Sequence, residues 1–314
     1  MKPIAWLLKG DPVIQFLTNK YLLEKDVVNH NKGYINAYFE LYDVKKRMWG
    51  GGIYSPKWIS THYTLMELKY MEVPPTNQIY QEAVLNLIDH MWFNQGLVAK
   101  KRHQDMCVVG MILGLACYGK IQDPRINEML DYILKHQFRD GGWNCEWERT
   151  TKPKKSSLHT TISVLEALFE YEKNEYDYRF NDVLKVLPKA WQFLLKKRLF
   201  RSVRTKEIIN KDMNSFHYPV RWKYDAFRAL EYFQSIKHPF DIRMQEAIDI
   251  ILKQMEKGYI SRGRAYAGKI HFKLEEGKAS RFNTLRALKI LKFYDPLSYE
   301  EIISTEYEYE PETL

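Results

Sequence analysis

The stretch Gln137-Phe138-Arg139-Asp140-Gly141-Gly142-Trp143 decides the reading of this chain. It lies between one helical pattern that ends near His136 and another that begins near Leu158. Two successive glycines stop the first pattern, because glycine enters left-handed backbone conformations without a side-chain clash. Trp143 then supplies a large flat apolar body with one donor, suited to packing over a turn between two helical hairpins. Asp140 is placed to cap amides around that turn, and Gln137 to bridge to neighbouring carbonyls. The stretch reads as a staple between hairpins and by itself specifies no reaction.

Helical periodicity recurs on both sides of the staple. A helix over 11–23 is followed by a weaker one over 26–42, and a helix begun near Ser60 or Thr61 by one over 77–91. The pairs 104–118 with 124–136, 158–172 with 180–196, and 222–235 with 242–256 come next, before a last helix over 280–293. Arg47-Met48-Trp49-Gly50-Gly51-Gly52 closes the first pair as a degenerate copy of the staple. Four cores share one apolar spacing: YTLMELKYM from Tyr63, SVLEALFEY from Ser163, DAFRALEYF from Asp225 and NTLRALKIL from Asn283. Recurrence of this kind marks one supersecondary unit used repeatedly, and an open solenoid would also produce it.

The staple among its repeated hairpins resembles the Q-x-x-D-G-G-W signature of the terpenoid cyclase and protein prenyltransferase superfamily. The resemblance implies an all-α chain closed into an α/α-toroid of about six helical hairpins over 1–298. The helix starts containing Thr61, Asp105, His159, Tyr224 and Asn283 are then expected on one rim. An acidic C-terminal tail over 299–314 is expected to end as a loose segment.

Composition narrows the class of partner. The 314 residues carry a net charge of +9, with 45% hydrophobic and 28% charged residues, which is an ordinary globular balance. Tyr, Trp and Phe number 22, 8 and 15, enough for some rings to line a cavity once the core is filled. The positive charge favours anionic partners, but no zinc finger, basic zipper or RNP-like sequence accompanies it, so nucleic acid is not an expected partner. No uninterrupted apolar run is long enough to span a bilayer, while peripheral membrane contact and a protein partner stay open. Cys107, Cys117 and Cys145 form no disulfide pattern and the first residues lack a signal core, so a reduced cytoplasmic setting is expected.

The most informative polar constellation is Asp105-Met106-Cys107 together with His159. In the resemblance, Asp105 and Cys107 match the Asp-x-Cys pair of protein prenyltransferase β subunits, and His159 matches their later histidine, which together bind zinc. Carboxylate, thiolate and imidazole suit that ion and leave a coordination position open. The alternative is that Asp105 caps its helix, Cys107 is buried and His159 bonds a neighbouring carbonyl. By the same resemblance, His62 and Arg102 correspond to residues beside a prenyl diphosphate, although Ala99 and Val108 depart from the family pattern. Arg221, Lys223, Tyr224, Asp225, Arg281 and Asn283 are further ligand-binding candidates, the cations because they can hold phosphate oxygens. Their alternative is a solvent-facing set of caps and salt bridges.

The Asp-x-Asp-Asp and Asp-Asp-x-x-Asp motifs of terpene cyclases and synthases are absent. Asp105 is then the single candidate for a class II-like cyclase acid. The expected function is a toroid that binds an isoprenoid or similar apolar ligand with an anionic head, with zinc-assisted transferase or lyase chemistry as an extension. The competing class is a noncatalytic protein-interaction scaffold. A continuous aromatic cavity favours the first, and a filled axis favours the second.

Overall fold

Local chemistry starts the helices where the sequence marks them. Asp11 accepts from the Val13 amide at 2.8 Å and Pro12 takes the first helical position, where its missing N–H costs nothing. Asn77, Ser157, Asp225 and Ser280 cap later helices through their side-chain oxygens in the same way. The computed structural model describes residues 1–99, 102–148, 155–263 and 266–309, apart from the side chains of Ala99 and Arg102.

The chain is mostly helical. Among the described residues the α-helices are α1 (Pro3–Leu7), α2 (Pro12–Tyr21), α3 (Tyr34–Glu40), α4 (Thr61–Tyr70), α5 (Gln78–Met91), α6 (Met106–Tyr118) and α7 (Arg125–Lys135). They continue as α8 (Leu158–Lys173), α9 (Phe180–Lys196), α10 (Ala226–Ser235), α11 (Gln245–Met255), α12 (Arg281–Tyr294) and α13 (Pro296–Ser304). Besides three short 3-10 turns, the described structure has two short antiparallel ribbons: β1 (Leu97–Ala99) with β2 (Arg102–His103), and β3 (Ile260–Ser261) with β4 (Ala279–Ser280). Among the described residues no helix is long and apolar enough to cross a membrane.

The even-numbered helices pack in succession, α4 on α6, α6 on α8, α8 on α10, α10 on α12 and α12 on α2. The odd-numbered helices α5, α7, α9, α11 and α13 pack on α4, α6, α8, α10 and α12 respectively, while α3 touches both α2 and α4. The closest approach is α6 on α8, and two glycines one turn apart permit it. A Cβ on Gly110 would lie 3.0 Å from the Ser163 carbonyl oxygen, and one on Gly114 would lie 3.3 Å from the Ala167 Cα.

The staple is a hydrogen-bonded joint. The Trp143 amide donates to Thr161 Oγ1 at 3.1 Å, and its indole N–H donates to the Ile133 carbonyl at 2.8 Å, so one fully buried ring ties α7 to α8. Gly141 has φ +99°, and a Cβ there would lie 2.2 Å from the Lys189 carbonyl oxygen of α9. Gln137 donates to the Gly141 and Val186 carbonyls at 2.8 and 3.0 Å, and Asp140 accepts from the Ser156 amide at 2.9 Å. The degenerate copy repeats the pattern: the Trp49 amide donates to Thr61 Oγ1 at 3.1 Å and its indole to the Tyr38 carbonyl at 2.6 Å. A third version replaces the indole by Ile260, whose amide donates to Thr284 Oγ1 at 2.9 Å.

Three expectations about the elements change. The weak helix over 26–42 shrinks to α3, because Asn29 ties the preceding segment to α4 through the Met71 and Glu72 carbonyls at 3.1 and 2.9 Å. The expected helix over 222–235 starts only at Ala226, where Asp225 accepts from the Arg228 amide at 2.7 Å. The segment from 299 onward packs on the helices as far as residue 309, and the loose end expected of the last few residues falls mainly outside the described residues. The segment opens inside α13, and Tyr309 then stacks on Trp6 at 4.6 Å and donates to the Gly258 carbonyl at 3.0 Å. The N-terminal amine donates to the Tyr307 carbonyl at 2.8 Å, joining the two ends, and residues 310–314 lie outside the described residues.

Trp143→Ala is expected to destabilise the fold by about 3–5 kcal/mol through lost packing and the lost indole hydrogen bond to the Ile133 carbonyl. Denaturant unfolding of the variant measures it, and a loss below about 1 kcal/mol would remove the staple from the account.

Candidate functional site

A cavity of about 480 Å³ lies among the even-numbered helices. Each helix presents one stripe to it: Glu166, Phe169, Glu170 and Lys173 from α8, and Arg228, Glu231, Tyr232 and Ser235 from α10. Phe282, Leu285, Arg286 and Lys289 from α12 and Phe16, Leu17, Lys20 and Tyr21 from α2 do the same. These follow the spacing that places residues on a single helix face. The cavity reaches Tyr70, Tyr118, Lys173 and Ser235, the last residues of α4, α6, α8 and α10.

Ion pairs cross from helix to helix around this space. Lys69 Nζ meets Glu170 at 2.8 Å, joining α4 to α8, and Arg228 holds both oxygens of Glu166 at 2.7 and 2.6 Å, joining α10 to α8. Arg286 Nε meets Glu231 at 2.6 Å, joining α12 to α10, while Lys20 of α2 pairs with Glu72 beyond α4. Burial works against the Arg228 charge, but Glu166 and its neighbours outweigh it and hold the guanidinium above its ordinary value. Lys289 sits 4.1 Å from the Tyr21 ring centre and Lys173 5.7 Å from that of Phe169. Neither lysine meets a carboxylate among the described residues.

The ligand-binding residues expected from the sequence lie elsewhere. His62 is fully buried between Tyr54 and Tyr63, with ring centres 5.1 and 5.0 Å away, and burial, then Lys57, pushes its pKa down to about 3. Arg221 pairs with Glu67 beneath Trp58, and burial lowers its pKa to about 10. Asp225 caps α10 and lies 3.7 Å from Arg286 Nη2; burial raises its pKa, against Arg286. Asn283 Oδ1 accepts from Arg286 at 3.1 Å, and the Lys223 carbonyl accepts from Arg228 at 2.6 Å. Tyr224 donates its amide to His159 Nδ1 at 2.8 Å and its hydroxyl to the Leu199 carbonyl at 2.5 Å.

None of His62, Arg221, Lys223, Tyr224, Asp225 and Asn283 lines the cavity. They are not the solvent-facing rim that the sequence suggests, because the chain before α10 folds over the helix starts. There Phe216 stacks on Phe227 at 3.5 Å and Tyr218 on Phe282 at 3.9 Å. Arg281 lies over Trp6 at 4.6 Å beside a separate cavity of about 320 Å³. The side chain of Arg102 lies outside the described residues.

Asp105, Cys107 and His159 do not assemble as a metal centre. Among the described residues no group of three His, Cys, Asp or Glu side chains is placed to hold an ion. His159 spends Nδ1 on the Tyr224 amide, and burial, then Arg228, lowers its pKa to about 4. Cys107 instead donates its amide to Cys145 Sγ at 3.2 Å. Asp105 stands at the start of α6, outside the cavity lining. The residues present therefore do not fit a three-donor zinc site, and no chemistry is routed through one.

The cavity's ion pairs were not foreseen, although the sequence holds a trace of them. Aligned on their first residues, the four apolar cores carry Met66, Glu166, Arg228 and Arg286 at the fourth place and Lys69, Phe169, Glu231 and Lys289 at the seventh. Charge at fixed places inside apolar repeats is the signal that these places face one another across a shared space. No protein-family model and no curated protein matches this chain.

Arg228→Met is expected to cost about 3 kcal/mol, because it strips Glu166 of its buried partner, and adding Glu166→Gln should restore part of that loss. Equilibrium unfolding of the single and double variants reads both effects. A pH dependence follows from the buried imidazole of His62 and the half-buried one of His159, whose folded pKa values of about 3 and about 4 lie below the ordinary 6.5. Below 6.5 the unfolded chain binds more protons, so their contribution is complete above that pH and declines as pH falls toward the folded values. Urea midpoints at about pH 7 and about pH 5 should separate less in His62→Phe than in the parent protein.

Proposed function

We propose that this chain is a terpenoid cyclase and prenyltransferase-like toroid whose axial cavity binds an isoprenoid or similar apolar ligand with an anionic head. The packing order supports closure: the even-numbered helices follow one another from α4 to α12, α12 meets α2, and α3 bridges α2 to α4. The staple and its copy at Trp49 support the family reading, since both use a tryptophan and a threonine to join successive hairpins.

The observation that carries the ligand reading is the cavity. Its volume of about 480 Å³ falls within the range of roughly 300–1,000 Å³ in which small-molecule sites occur. Tyr21, Tyr70, Phe169, Tyr218, Tyr232 and Phe282 supply apolar ring faces along its wall. The wall's carboxylates are taken up by Lys20, Lys69, Arg228 and Arg286, which leaves Lys173 and Lys289 as the cations for an acidic head. An open axis also favours ligand binding over a noncatalytic scaffold. The reading assigns binding alone, because Asp105 stands outside the cavity and the described residues group no three donors for zinc.

Isothermal titration with farnesyl diphosphate, farnesol and inorganic diphosphate tests it. Farnesyl diphosphate is expected to bind tightest, and Lys173→Glu with Lys289→Glu to weaken it by about tenfold or more. Equal affinity for all three compounds, or binding to none, would argue for the scaffold instead.

A further inference from the structure

Cys107 and Cys145 are 38 residues apart in sequence and meet at the start of α6. Cys107 is the second residue of that helix, so its amide is one of the donors that lack an intrahelical acceptor. That amide points at Cys145 Sγ from 3.2 Å, and the Thr160 hydroxyl, from the first turn of α8, lies 3.3 Å from the same sulfur. The Cys107 thiol interacts with the same sulfur. Both sulfurs belong to half-buried residues, whereas Cys117 is fully buried. One sulfur thus meets an amide donor at a helix N-terminus and a hydroxyl, with a second thiol beside it.

We propose that Cys145 is a peroxide-reactive thiolate and that Cys107 is its resolving thiol. Donors aimed at a sulfur stabilise the anion, and the positive end of a helix dipole acts in the same sense. The Cys107 thiol pulls the Cys145 pKa below the ordinary thiol range, burial opposes this, and the Thr160 hydroxyl and Cys107 amide add to it. The same contact, with burial, pushes the Cys107 thiol up. Asp105 works against both thiolates and so limits the effect.

The chemistry is balanced by hydrogen peroxide as the oxidant. The Cys145 thiolate attacks one peroxide oxygen, the O–O bond breaks, hydroxide leaves and a sulfenic acid forms, with sulfur oxidised by two electrons. Cys107 then attacks that sulfur, the S–O bond breaks, and its proton leaves with the hydroxyl as water while the disulfide forms. The bond would fasten the loop after the staple to the first turn of α6, away from the cavity lining, and it is independent of the ligand reading.

Native-state alkylation of the intact chain with iodoacetamide, followed by peptide mass spectrometry, is the first test. Cys145 is expected to label about tenfold faster than Cys107, with Cys117 unreactive until unfolding, and Thr160→Val should slow it several-fold. Peroxide treatment should then give one peptide pair linked through Cys107 and Cys145. In Cys107→Ser the Cys145 sulfenic acid should persist and be trapped by dimedone. Faster labelling of Cys107, or oxidation of each sulfur separately with no linked pair, would overturn the proposal. Both of those outcomes are read on the unaltered protein, so neither depends on a variant folding.

Discussion

The structure depends on charges handed from one helix to the next. α4 gives Lys69 to Glu170 of α8, α8 gives Glu166 to Arg228 of α10, and α10 gives Glu231 to Arg286 of α12. Lys292 of α12 closes onto the end of α2 through the Tyr21 and Leu22 carbonyls at 3.2 and 3.0 Å. Buried pairs of this kind gain little net stability over apolar packing, since desolvation offsets most of their attraction. Their effect is on specificity: a helix rotated by one residue would bury an unpaired charge. The pairs therefore fix the rotation of each even-numbered helix about its axis, and with it which stripe faces the cavity.

The same pairs also explain how a cavity persists inside a chain with so many large apolar side chains. An apolar space of this size would collapse or fill, because packed interiors tolerate few voids. Here the walls are held apart by guanidinium and carboxylate groups that are already bonded to each other, and Arg228 is additionally anchored by the Lys223 carbonyl. The opposite end is closed by aromatic pairs such as Phe216 with Phe227 and Tyr218 with Phe282. One end of the helix array is thus packed shut, and the cavity reaches the other.

Three joints set the height of the helices relative to one another. Trp49 with Thr61, Trp143 with Thr161 and Ile260 with Thr284 each use an amide donating to a threonine hydroxyl in the first turn of an even-numbered helix. The glycines around the first two admit the close approach, and at Gly141 both the positive φ and the Lys189 carbonyl exclude a side chain. Repetition of the joint is more faithful than repetition of its sequence, because the amide-to-hydroxyl bond does not require an indole.

Sequence alone was enough for the helices from α2 to α12, the glycine-terminated joints and the all-α class, but not for the short helices α1 and α13. Each of these rests on interactions within a few residues: a capping oxygen, an apolar spacing, a glycine free of a Cβ. It was not enough for the site. The family resemblance groups Asp105, Cys107 and His159, yet the rotation of α6 and α8 turns Cys107 toward Cys145 and His159 toward Tyr224. The only mark that Glu166, Arg228, Glu231 and Arg286 carry is their recurrence at fixed places of the apolar cores, which names no partner and does not tell a cavity wall from a solvated face. What decides between those readings is which helix lies opposite, and that follows from long-range packing through Gly110, Gly114 and the ion pairs, where partners lie tens of residues apart.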